Sequence, residues 1–174
     1  MKPGIIIMSE LTGEIASRVR SIQSRYDPRL VAELPPHITL TGSSGMGPIP
    51  ARTPRAALIA ALAPVARETP AFAVRFQAPM RFMQTTVVVL PIDPNGPIRA
   101  LHERIKQSGL EFEAPRFTFT PHCTLSFYPE LTREQYAALL AERIEDEVLV
   151  ERFEVYRSVT LTKTEKVCEF DLAG

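Results

Sequence analysis

Two of the three histidines in this 174-residue chain occupy the same slot of a repeated pentapeptide. The first copy reads Pro36-His37-Ile38-Thr39-Leu40 and the second Pro121-His122-Cys123-Thr124-Leu125, an offset of 122 − 37 = 85 residues, close to half the chain. Side chains alternate between the faces of an extended strand. Each copy therefore presents one imidazole and one hydroxyl on a polar front, with Ile38 and Leu40, or Cys123 and Leu125, on an apolar back. An imidazole titrates near pH 6.5, so one ring can be neutral and the other charged at neutral pH. A base on one side and an acid on the other suit in-line phosphoryl transfer, and two threonine hydroxyls can donate to non-bridging phosphate oxygens. The expected catalytic set is His37, Thr39, His122 and Thr124. Neither motif supplies the carboxylates or extra imidazoles of a metal site, and a Ser-His-Asp or Cys-His arrangement lacks its partners, with Cys123 facing the core.

The elements that must position these groups recur in the same order. Gly4 to Met8 is a buried strand. A helix with Leu11, Ile15, Val19 and Ile22 on its stripe follows, with Ser9 as its cap. Pro35-Pro36 holds the approach to the first motif extended. After a loop rich in Gly, Ser and Pro, Thr53-Pro54 opens a helix carrying Leu58, Ile59, Leu62 and Val65, which Pro64 bends or ends. Phe72, Val74 and Phe76 then alternate with Arg75 and Gln77. The second half replays this: a strand over 86–92, a helix opened at Asp93-Pro94 or at Asn95-Gly96-Pro97, with Ile98, Leu101 and Ile105, the second motif, a helix with a Thr132/Gln135 capping box, one or two strands over 148–163, and a final strand over 167–172. His102, outside both motifs, reads as a partly exposed structural residue. The expected fold is α+β and internally duplicated: two mainly antiparallel sheets facing a central cleft, with helices on their outer faces. The whole of 1–174 forms one domain of two pseudo-repeats, about 1–82 and 83–174.

Composition sets bounds. Apolar residues make up 45% of the chain and the formal net charge is zero, which argues against tight binding of long nucleic acid through phosphates alone. Two cysteines are too few for a disulfide framework. The apolar run Ile5-Ile6-Ile7-Met8 is far too short for a signal or a membrane span. A cytoplasmic monomer without a membrane association is expected.

With its two His-x-Thr motifs at half-chain spacing, the chain resembles the 2H phosphoesterases, which include 2′-5′ RNA ligase-like proteins and 2′,3′-cyclic nucleotide phosphodiesterases. The resemblance implies a metal-independent enzyme, needing no cofactor, that opens 2′,3′-cyclic phosphates on nucleotides or RNA ends. It also leaves room for 2′-5′ ligation, or for a non-catalytic nucleotide- or RNA-binding module. Thr41-Gly42-Ser43-Ser44 replaces the aromatic-Leu-Gly continuation usual after the first motif of the ligase-like members, which weighs against ligation. Aligning Phe72-Ala73-Val74-Arg75 with Phe153-Glu154-Val155-Tyr156 puts Arg75 and Tyr156 on the front beside the histidines, as expected substrate-binding residues.

Overall fold

The computed structural model describes residues 4–42, 44–82, 85–127, 130–158 and 164–174. Its elements are β1 (Gly4–Glu10), α1 (Gly13–Tyr26), α2 (Pro28–Glu33), β2 (His37–Thr41), β3 (Ile49–Pro50), α3 (Arg55–Arg67), β4 (Phe72–Arg75), β5 (Met80–Arg81), β6 (Val88–Pro91), α4 (Pro97–Lys106), β7 (His122–Ser126), α5 (Arg133–Ala141), β8 (Glu147–Val150), β9 (Arg152–Ser158) and β10 (Thr164–Asp171). The fold is α+β, as expected, with every strand pair antiparallel. Eight strands form one sheet in the order β10-β9-β1-β2-β7-β6-β5, with β3 also on β1, and β4 and β8 form a second. The duplication is visible in the pairing. β1 lies between its motif strand β2 and β9, while β6 lies between its motif strand β7 and β5.

The two halves meet at the motif strands, which are joined by a single residue pair, Ile38 with Cys123. That seam makes the large sheet continuous across the halves. The backs of both motifs, Ile38, Leu40, Cys123 and Leu125, are fully buried in one core with Val19 and Ile22 of α1 and Ile98 and Leu101 of α4. Burial of that apolar face fixes strand register, because a one-residue slip would turn the histidines into the core.

Several local expectations change. α1 is capped at Thr12, without a side-chain hydrogen bond, because Ser9 is still inside β1. α3 starts after Pro54 and runs through Pro64 to Arg67. The Thr132/Gln135 capping box is present in both directions. Residues 148–163 supply β9 and most of β8, and the stretch 159–163 lies outside the described residues. No described helix is long and apolar enough to cross a membrane.

Candidate active site

Each motif begins where proline-rich backbone enters the sheet. His37 and His122 open β2 and β7, and both strands show the same burial pattern, with the histidine and the threonine half-buried and the intervening residues buried. Antiparallel register about the Ile38–Cys123 pair sets each histidine across the seam from the other motif's threonine. The structure thus brings His37, Thr39, His122 and Thr124 together.

Both rings are held in the same way. His37 Nδ1 lies 2.7 Å from the Pro35 carbonyl and His122 Nδ1 lies 2.7 Å from the Thr120 carbonyl, each two residues upstream. A carbonyl oxygen only accepts, so Nδ1 must be the protonated donor. Nε2 is then the nitrogen left to accept or deliver a proton. Burial lowers the pKa of both rings, more than the carbonyl contacts raise it, and a charge on His37 further disfavours one on His122.

A feature not visible in the motif is a bulge. Between β1 and β2 the register jumps from Met8–Thr39 to Ile7–Thr41, skipping Leu40. Between β6 and β7 it jumps from Val89–Thr124 to Val88–Ser126, skipping Leu125. The bulged residue is the leucine of each motif, directly after the threonine. Bulges re-aim neighbouring side chains and are common beside active sites.

The surroundings of the two histidines differ. Glu10 pairs in register with His37, and its counterpart beside His122 is Pro91. Glu10 Oε1 accepts from Tyr156 Oη at 2.6 Å and contacts Lys166 Nζ at 2.7 Å, while the Glu10 backbone N–H donates to Glu154 Oε2 at 2.9 Å. Burial pushes the Glu10 carboxyl upward, but the Lys166 ammonium and the Tyr156 hydroxyl outweigh it and hold it low. Glu154 is 1% exposed, and burial raises its carboxyl to about 7. On the other side Phe82 packs edge-on against His122, with ring centroids 4.8 Å apart.

Tyr156 therefore joins the site through Glu10. Arg75 does not join it: β4 belongs to the small sheet with β8, where the Arg75 guanidinium binds Glu147 Oε1 at 2.9 Å and the Glu145 carbonyl at 3.2 Å. The expected pairing of Arg75 with Tyr156 rested on aligning Phe72 with Phe153. By their places in the sheets, β4 corresponds to its own partner β8, and β5, which lies beside β6, corresponds to β9, which lies beside β1. Register through β1 and β6 then makes Phe82 the counterpart of Tyr156. The short β5 carries too little alternation to be read from sequence, so Phe82, like Glu10, was missed. Among the described residues no three His, Cys, Asp or Glu side chains cluster in a way that could hold a metal ion.

A model of the 2′-5′ RNA ligase superfamily matches residues 12–162. The chain belongs to this superfamily. A Bacillus pumilus protein provisionally named a phosphoesterase is 28% identical over 159 residues, covering 88% of this chain and 86% of its own. The fold is also that of Escherichia coli LigT complexed with phosphate, at a TM-score of 0.61 and 16% identity over 100% of both chains. LigT complexed with 3′-AMP matches at 0.60 and 18% identity, over 99% of this chain and 100% of that one. TT0787 of Thermus thermophilus matches at 0.65 and 16% identity, over 98% of each. Superfamily membership is what the two-histidine motifs led one to expect.

Proposed function

We propose that this protein is a phosphodiesterase that opens 2′,3′-cyclic phosphates of nucleotides or RNA ends, using His37 and His122 as an acid/base pair and no metal. The observation that carries the reading is the matched pair of imidazoles across one seam, each with Nδ1 spent on a backbone carbonyl and Nε2 left for chemistry. Water attacks phosphorus while His122 Nε2 takes its proton. The bond from phosphorus to one ring oxygen breaks, and His37 Nε2–H protonates that oxygen, giving a phosphomonoester. Thr39 and Thr124 donate to the non-bridging oxygens as charge builds on them.

The roles follow from charge. His37 has the Glu10 carboxylate beside it, itself held by Lys166 and Tyr156, which offsets part of the burial that lowers both rings; His122 has Pro91 and Phe82 there and, among the described residues, no carboxylate. Tyr156 acts through Glu10, whose carboxylate it helps to hold beside His37. The LigT complexes with phosphate and 3′-AMP support a phosphate-bearing nucleotide as ligand for this fold. We read the chain as one domain of two pseudo-repeats acting as a monomer, and its free thiols, Cys123 and Cys168, fit a reducing cytoplasm.

The test is incubation with each 2′,3′-cyclic nucleotide in EDTA, with product identification by chromatography. Formation of a single phosphomonoester regioisomer is the expected result. Tight binding without turnover would make the protein a nucleotide-binding module, and joining of RNA ends without hydrolysis would make it a ligase.

A further inference from the structure

His102 lies outside both motifs, yet it is 1% exposed rather than partly exposed. It projects from α4 and reaches Leu40 of the first motif and Phe119, which precedes the second. Its Nδ1 lies 2.8 Å from the carbonyl of Leu40 and must donate to it. Leu40 is the bulged residue of the first motif, three positions after His37, so its carbonyl stands where the ladder is disturbed. The face of the His102 ring stacks on Phe119, with centroids 3.8 Å apart and planes 24° apart. Phe119 is three positions before His122. Continuing the antiparallel register beyond the Ile38–Cys123 pair places Leu40 and Phe119 on opposite sides of the seam, at the same end of it.

His102 therefore spans a seam at which β2 and β7 themselves pair through Ile38 and Cys123, with a further backbone bridge between Ser44 and Phe117. Its surroundings leave little freedom. Gly45, at φ +71°, lies so close that a Cβ there would collide with His102 Nε2 and sit 2.8 Å from Phe119 Cβ. The Gly45 N–H donates to the Phe117 carbonyl at 2.9 Å, tying the loop after the first motif to the segment before the second. The Arg99 guanidinium, also from α4, lies 5.5 Å from the Phe119 ring centroid. The other end of the seam is held differently: Gln23 Nε2 of α1 donates to the Thr124 carbonyl at 2.8 Å, and the Phe127 N–H donates to Asp27 Oδ2 at 2.6 Å.

We propose that His102 is a positioning residue that sets the separation and relative orientation of the His37 and His122 rings by bracing the first motif strand against the approach to the second. The inference rests on the acid/base reading given above. A misplacement of about 1 Å between reacting groups costs on the order of 10²-fold in rate. Nothing in the site asks His102 to touch substrate, so its loss should fall on kcat.

The experiment compares His102→Phe, which keeps the stack on Phe119 but not the donor, with His102→Asn, whose amide nitrogen stands in for Nδ1. Hydrolysis of a 2′,3′-cyclic nucleotide should show kcat lowered about 10- to 100-fold in the Phe variant with KM little changed, and part of the loss restored in the Asn variant, which regains the donor but not the stack. The ring nitrogen and proton NMR signals of His37 and His122 should move in the Phe variant although neither ring touches position 102. Wild-type kcat in the Phe variant, a loss confined to KM, or an Asn variant no better than Phe would each overturn the proposal. If both variants unfold, Phe119→Leu removes the stack while leaving the His102 donor in place; there a partial fall in kcat supports the brace and an unchanged kcat refutes it. If the wild-type protein opens no cyclic phosphate, the functional reading fails, and the NMR signals alone decide the brace: shifted in support, unshifted against.

Discussion

Glu154 is the buried carboxyl whose protonation should be read most directly. Its Oε2 accepts the Glu10 backbone N–H on the strand that carries Glu10 to His37, and a neutral side chain can make the same bond. The pKa is raised from 4.5 to about 7, first by burial and then by the neighbouring Glu10 charge, against the Glu10 N–H, Lys166 and Arg152. A folded-state pKa above the unfolded value adds stability that is complete below about 4.5 and lost as pH rises through about 7. The displacement corresponds to about 3 kcal/mol. Glu154→Gln should remove this dependence, gaining on the wild type as pH rises and reaching its full advantage above pH 7. For a chain of this size 1 kcal/mol moves Tm by about 2–4 °C, so the variant should gain about 6–12 °C on the wild type between pH 4.5 and pH 8. His37, His102 and His122 carry the opposite sign: their pKa values are lowered by burial, so their contribution is present above 6.5 and lost as pH falls. The difference between variant and wild type cancels them. Thermal unfolding followed by circular dichroism at both pH values is the assay. A Tm difference that is the same at pH 4.5 and pH 8 would refute the argument.

Other outcomes follow from the site. His37→Ala and His122→Ala should each lower turnover about 10²–10⁴-fold with cooperative unfolding retained, and Thr39→Ala and Thr124→Ala should lower it less; steady-state kinetics beside melting curves checks both. The pH profile of kcat/KM should be bell-shaped and peak on the acid side of 6.5, because burial lowers both imidazoles. Glu10→Gln removes the carboxylate that favours charged His37, so the alkaline limb, where the acid loses its proton, should move to lower pH; an unmoved limb would reverse the roles of the two rings. Arg75→Ala should leave kinetics unchanged and cost at most about 1 kcal/mol, since its ion pair with Glu147 is exposed.

The primary sequence by itself determined the chemistry-bearing groups. His37, Thr39, His122 and Thr124 could be placed on one face of two strands because alternation is a local property, and their half-chain spacing exposed the duplication. Helix stripes and the Thr132 capping box were legible for the same reason: each depends on residues a few positions apart. What tertiary structure decided is the pairing of elements distant in the chain. Bulges at Leu40 and Leu125 arise only when β1 and β6 pair with the motif strands. The two-residue β5 gains its identity from β6, which is why the counterpart of Tyr156 is Phe82 and not Arg75. Glu10, at the end of a buried apolar strand, acquires meaning from register with His37 and from Tyr156 and Lys166, about 150 residues away. His102 reads as a residue beside a helix stripe until the fold brings it to the Leu40 carbonyl, because no local pattern records which carbonyl an imidazole will reach across the fold.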